Sequence, residues 1–164
     1  MTRPKLIAIV GNVGVGKTTL ISALAQRLTD CTIICIDDLR EEFNATTKQS
    51  EVFVQRELYK LVTECDTNIL YECSGTSALF DKVISTFKED EALIIRLQAP
   101  ISVLKERLKL RLRAPPFPYN LSIEASLLNI EMLLSIRSYN YDYDTNLMST
   151  EEILKAVLAL PELK

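Results

Sequence analysis

The chain has 164 residues, 48% of them apolar and 25% charged, with a formal net charge of −3. That length fits one domain able to bury about two-thirds of its unfolded surface. The acidic balance excludes a global basic field for nucleic acid or anionic membrane, so any polyanion must be met by a local patch.

From the N-terminus, MTRPK leads into the apolar run KLIAIV (5–10) without the parts of a signal peptide, which sets a cytoplasmic expectation. That run is β-branched and of strand length. Residues 17–29 carry Leu20, Ile21, Leu24 and Leu28 on one helical face. TIICI (32–36) reads as a second buried strand. Residues 48–65 read as a helix with Val52, Leu58, Leu61 and Val62 in the core. NILYEC (68–73) is a third strand, 77–88 a short helix, and ALIIRL (92–97) a fourth strand closed by QAP. A helix follows over 101–113, with Ile101, Leu104, Leu108 and Leu112 as its apolar stripe, until APPFP (114–118) breaks the chain. Residues 121–137 form another helix. The tyrosines around 140–144 suit a half-buried edge strand, and Thr150 caps a last helix to about Leu160, with Glu151 and Glu152 in its first turn. Buried strands alternating with helices predict an α/β fold: three α/β/α layers around a five-stranded parallel sheet. A single domain over 1–164 is expected, with a short lid at about 105–120. No apolar run approaches the roughly 20 residues of a membrane span.

Three of the four glycines fall in GNVGVGKTTL. Gly11, Asn12, Val13, Gly14, Val15, Gly16, Lys17 and Thr18 fit G-x-x-x-x-G-K-[ST] in full, after a predicted strand and opening a predicted helix. Such glycines let backbone N–H groups turn inward around phosphate, and the helix N-terminus adds unpaired donors and a positive dipole. Lys17 is expected to reach the β- and γ-phosphates, the Thr18 hydroxyl to ligate Mg²⁺, and Thr19 to complete the nucleotide-binding turn. A GTPase needs D-x-x-G after the third strand, yet beyond Gly16 the one glycine is Gly75, and no N-K-x-D or T-K-x-D is present. Large mechanical ATPases pair carboxylates after the third strand, where Glu72 stands alone. ATP used by a small-molecule kinase remains.

Histidine is absent, which removes most zinc-site patterns and every Ser-His or Cys-His nucleophile pair. Cys31, Cys35, Cys65 and Cys73 include no C-x-x-C pair and read as free thiols. Acid–base chemistry therefore falls to a carboxylate or a lysine. ICIDDLREEF (34–43) sets Asp37, Asp38 and Arg40 directly after the second strand, where open α/β sheets bind ligands. A kinase acting on an alcohol needs a carboxylate to accept or orient the hydroxyl proton. Asp37 is the candidate for it, Arg40 for pinning the acceptor, and Asp38 for capping the helix. Glu72 and Gly75, ending the third strand, suit either metal and acceptor contacts or a turn. Between 105 and 113, Lys105, Arg107, Lys109, Arg111 and Arg113 face one acid, Glu106. Such a run is either a solvated face or a set of phosphate ligands, for which Arg107 and Arg111 come first.

The P-loop with D-D-x-R after the second strand resembles the polynucleotide-kinase and zeta-toxin group of P-loop kinases and, more loosely, gluconate and shikimate kinases. The resemblance implies a nucleoside-monophosphate-kinase-like P-loop fold using ATP and Mg²⁺, with Asp37 as base and Arg40 touching the acceptor. YECSGTS is similar to the segment that lines the acceptor pocket in that group. LIIRLQAPISVLKERLKLR is similar to its fourth strand, proline stop and arginine-bearing helix, and the loop at Asp144 and Thr145 lies where such kinases bind adenine. The expectation is phosphoryl transfer from ATP to a hydroxyl of a small metabolite, nucleoside or nucleotide. A nucleic-acid 5′-hydroxyl is less favoured on an acidic chain this small. A zeta-toxin-like sugar-nucleotide kinase and an ATP-binding switch without an acceptor are the alternatives. Nothing in the sequence names the acceptor or the oligomeric state.

Overall fold

The computed structural model describes residues 5–111 and 122–164. The expectations for Leu112, Arg113, the APPFP stretch and the far half of the lid lie outside them. The elements run β1 (Leu6–Gly11), α1 (Lys17–Ala25), β2 (Cys31–Cys35), α2 (Ile36–Glu42), α3 (Lys48–Glu64), β3 (Asn68–Cys73) and α4 (Ala78–Ile84). They continue with β4 (Ala92–Gln98), α5 (Ile101–Lys109), α6 (Ile123–Ser135), β5 (Tyr141–Asp144), α7 (Thr150–Leu158) and a closing 3₁₀ turn, Pro161–Leu163.

All five strands are parallel in the order β2-β3-β1-β4-β5. Leu6 pairs with Ile69 on one side and Ala92 on the other, and Gly11 ends opposite Leu97. Cys35 pairs with Glu72 and Gln98 with Asp144. The C-terminal strand ends thus form one edge, with β1 at its centre. Successive side chains of β1 alternate between two cores. Ile7 and Ile9 pack with Leu20 and Leu24 of α1, Leu104 of α5 and Val157 of α7. Leu6, Ala8 and Val10 pack with Leu58 and Val62 of α3 and Phe80 of α4. These are the three α/β/α layers expected. No helix among the described residues is long and apolar enough to cross a membrane.

Local structure departs from expectation at several points. Strand β2, expected to be buried over 32–36, is a sheet edge with Thr32 and Ile33 exposed, and Ile36 belongs to α2. The buried line of α3 is Val54, Leu58 and Val62, while Val52 is 60% and Leu61 46% exposed. At 3.6 residues per turn, Val52 falls on the opposite side and Leu61 at the margin of that line. Helix α2 begins at Ile36 with Cys35 in the N-cap position, so Asp38 lies inside the first turn rather than capping it. The cap of α7 is Ser149, not Thr150: its hydroxyl accepts from the Glu152 N–H while Glu152 accepts from the Ser149 N–H, closing a capping box. The helix over 77–88 stops at Ile84, and its last residues are turns. The tyrosine segment does form a half-buried edge strand on β4.

After β3 the chain turns at Gly75, with φ +78, where a Cβ would sit 2.7 Å from Val10 Cβ and 2.9 Å from its Cγ1. Both the conformation and the contact oppose any other residue. Gly75→Ala is expected to lower stability by about 2 to 4 kcal/mol, read from the urea midpoint at unchanged m-value.

Candidate active site

The P-loop leaves the sheet at Gly11 and enters α1 through Gly16, whose φ of +102 makes it the left-handed N-cap of that helix. Lys17 folds back over the loop and donates to the carbonyls of Gly11 (3.1 Å) and Asn12 (3.0 Å). Burial pushes its ammonium below the ordinary lysine value; the Glu72 carboxylate, and more weakly that of Asp37, pull the other way. The Thr18 hydroxyl donates to Glu72 Oε1 at 2.7 Å. Glu72, the penultimate residue of β3, is buried. A hydroxyl and a carboxylate this close form a hard oxygen pair of the kind Mg²⁺ takes from a protein when phosphates supply the rest.

Both motifs open on one cavity of about 810 Å³. Its floor is Val13, Gly14 and Gly16 to Thr19 of the P-loop with Glu72, while the Val15 side chain is buried in the core. One wall is Cys35, Asp37, Asp38, Arg40 and Glu41, continued by Asn44 and Thr46 after α2. Arg107 and Arg111 face it from α5 and the residues just beyond. Helix α5 is set close to the loop, since a Cβ on Gly14 would meet Leu108 Cδ2 at 3.4 Å. A second cavity of about 370 Å³ shares Gly14, Gly16, Thr19 and Arg107 with the first and is completed by Thr145, Met148 and the start of α7.

Arg40 and Arg107, two of the cations that line the cavity, already have protein partners. Arg40 donates through Nε and one terminal nitrogen to both Glu51 oxygens (3.0 and 2.6 Å) and through the other to Asp37 Oδ1 (2.8 Å). The desolvation that this half-buried guanidinium suffers is outweighed by Glu51 and Asp37, which raise its pKa. Arg107 donates to the hydroxyl and the carbonyl of Thr145, both at 2.8 Å, and so stands where the two cavities meet. Lys105 pairs with Glu124 of α6 and Lys109 with Glu106, which gives these two the solvated-face role. Arg111 is exposed on the cavity rim. Burial pushes the Cys35 and Cys73 thiols up to about 12, so neither offers a thiolate.

Three side-chain placements went unread in the sequence. Glu51 lies eleven positions from Arg40 on another helix. Asn12, inside the P-loop motif, is fully buried and turns away from the cavity floor: its amide donates to the Leu127 carbonyl of α6 (2.8 Å) and to Glu131 (3.4 Å), and its oxygen accepts from the Val13 N–H (2.9 Å). Glu131 also pairs with Arg96, which reaches Asp142 at 3.5 Å and lies 5.5 Å from the Tyr139 ring. Arg96 had a visible signal, a lone charge in ALIIRLQ.

The Glu51 carboxylate is held below its ordinary value of 4.5, first by the Arg40 hydrogen bond and against its own burial. A group with a depressed folded pKa contributes stability above its unfolded pKa and loses it as pH falls through the folded one. Glu51→Gln is therefore expected to cost about 1 kcal/mol at neutral pH. That gap to wild type should hold down to about pH 5 and close below it, as urea midpoints taken across the acid range would record.

A family model described as AAA domain matches residues 7–120. No curated protein sequence matches the chain. Among solved structures, it is similar to shikimate kinase from Bacteroides thetaiotaomicron, with TM-score 0.70 and 19% identity over 96% of this chain and 98% of that one. It is similar to a gluconokinase from Sinorhizobium meliloti 1021 (TM-score 0.67, 18% identity, 97% and 92% covered). It also resembles the YorR protein of Bacillus subtilis in complex with phosphorylated GDP (TM-score 0.67, 21% identity, 96% of each chain covered). The fold is that of the P-loop kinases.

Proposed function

The chain belongs to the AAA domain family, and from that premise we propose that it is an ATP- and Mg²⁺-dependent phosphotransferase that moves the γ-phosphoryl group to a hydroxyl of a small molecule. One observation carries the reading: Lys17, the Thr18–Glu72 pair and Asp37 border a single cavity. A switch that binds triphosphate without an acceptor has no need of the Asp37 wall. The matched shikimate kinase and gluconokinase act on small hydroxyl compounds by their names, which supports the same class here.

In this reading the P-loop amides and Lys17 hold the β- and γ-phosphates, and Lys17 exchanges two neutral carbonyl partners for charged oxygens. Thr18 and Glu72 would hold Mg²⁺, whose charge would offset that developing on the transferred group. Asp37 accepts or orients the proton of the attacking hydroxyl, with Arg40 fixing the carboxylate. Arg107 contacts the nucleotide from the junction of the two cavities, Arg111 reaches over the transferred group from the rim, and the smaller cavity takes the adenine. The chain works as one kinase domain whose lid includes α5 from Lys105 onward.

Lys17→Met removes a desolvated charge and should leave the apo protein at least as stable as wild type. It should also erase the stabilisation by Mg·ATP, which for an intact site is about 2.7 kcal/mol at a hundred times Kd. A thermal-shift titration separates the two effects, and a full shift in the variant would refute the role of Lys17.

Asp37→Asn keeps shape but removes the basic oxygen, so acceptor phosphorylation should fall by at least about a hundredfold while ATP affinity stays within a few-fold. Asp38→Asn should slow turnover far less. The reverse ranking in steady-state assays would move the base to Asp38; unchanged turnover in both would leave transfer to positioning and electrostatics alone.

A further inference from the structure

We infer that the acceptor of this site carries no anionic group: it is a neutral or amine-bearing polyhydroxyl compound, not a carboxylic acid, a phosphate ester or a nucleic-acid end. The inference rests on the phosphotransferase reading and deepens it. What carries it is the state of Arg40. On the acceptor wall, residues 35–46, Arg40 is the one cation that borders the cavity among the described residues. A guanidinium has five N–H donors, and three of these are committed to carboxylates, two to Glu51 and one to Asp37. The Glu51 contact is a fork on both carboxylate oxygens, the geometry in which guanidinium holds an acid most firmly.

The cluster therefore holds two carboxylates against one guanidinium and is net negative before any acceptor arrives. An incoming carboxylate or phosphate would meet a charge already matched. To capture Arg40 it would have to break charge-assisted bonds and leave Asp37 or Glu51 half-buried without its cation. Asp38 adds another carboxylate to the same wall. The other described cations that border the cavity, Lys17, Arg107 and Arg111, stand on the P-loop and α5 side, where the triphosphate engages them. What this wall offers an acceptor is carboxylate oxygens, the Asn44 amide and the Thr46 hydroxyl. Those groups bind hydroxyl and ammonium donors. A nucleic-acid 5′-end fits poorly, because its phosphodiesters would follow the hydroxyl into a negative wall.

The test is acceptor-dependent ADP release from Mg·ATP with matched pairs: a nucleoside against its monophosphate, and glucose and glucosamine against gluconate. The uncharged or amine-bearing member is expected to exceed its anionic partner in kcat/KM by at least about tenfold, as like-charge juxtaposition demands. Glu51→Gln, which leaves Arg40 with a single carboxylate, should narrow that ratio by at least about threefold, and Asp38→Asn should narrow it in the same direction if the first variant fails to fold. Equal or better use of the anionic members by wild type overturns the inference, as does a ratio that neither variant moves. Calorimetric titration with Mg·ATP separates the two failures. Intact ATP binding with anionic acceptors preferred leaves the phosphotransferase reading standing and removes only the charge rule. Absence of ATP binding, or of ADP release with every acceptor, removes both.

Discussion

Crowding at the C-terminal edge of the sheet governs the site. A Cβ on Gly11 would lie 2.3 Å from the Leu97 carbonyl oxygen, closer than any side chain tolerates, and one on Gly75 would press into Val10. Strand β1 is flanked on both sides, by β3 and β4, so nothing at this edge can give way without disturbing the central strand. The chain must leave the sheet at Gly11 and turn sharply, and that turn brings Lys17 Nζ within reach of the Gly11 and Asn12 carbonyls. A side chain at Gly11 would part β1 from β4 and displace the carbonyl that anchors the lysine. Packing and the placement of the reactive groups are here one constraint.

Arginines then tie the elements of this edge together. Arg40 joins α2 to α3 through Glu51. Arg96 joins β4 to α6 and β5 through Glu131 and Asp142. Arg107 joins α5 to the loop after β5, and Arg137 joins the end of α6 to Asp81 of α4 and to the Thr76 carbonyl. Planar forked donors suit this work, because they fix orientation as well as distance. The buried member is Arg96, and its Glu131 partner also receives the Asn12 amide, so one face of the P-loop is wired to α6. A buried charge set of this kind costs desolvation and is weak evidence for stability. Its geometric effect is to hold the loop and the helix that follows residues 112–121 in one arrangement.

Much of this was legible in the sequence, and the division follows the range of the interactions. Continuous apolar runs located the first four strands, most clearly KLIAIV and NILYEC, where burial on both faces leaves a local mark, while alternating tyrosines marked the half-buried β5. The P-loop was legible because its turn needs glycines at fixed offsets. In helix α3 Leu58 and Val62 were placed correctly in the core and Val52 and Leu61 were not, since a 17-residue amphipathic segment offers two adjoining apolar lines and only the sheet chooses between them. The partners of Arg40 and Arg107 were hidden for a different reason: Glu51 and Thr145 lie 11 and 38 positions away, joined by no periodicity. Asn12 read as part of the phosphate cradle because it falls inside the motif. Its side chain serves the core instead, an outcome decided by α6, more than a hundred residues further along.

These pairings also sort the cations of the cavity by the charge of their partners. Lys17 rests on two neutral carbonyls, and Arg107 on a hydroxyl and a carbonyl. Anionic oxygens in place of those uncharged acceptors would add opposite-charge attraction to bonds that now have only their donor ionised. Arg40 is already charge-assisted on three donors, and any exchange there trades like for like while stranding a carboxylate. Lys17 and Arg107 thus differ from the guanidinium on the opposite wall in having no carboxylate among their hydrogen-bond partners. The two sides of the cavity therefore differ in kind: on one, Lys17 and Arg107 rest on uncharged partners, and on the other Arg40 is fixed by carboxylates with Asp37 held beside it.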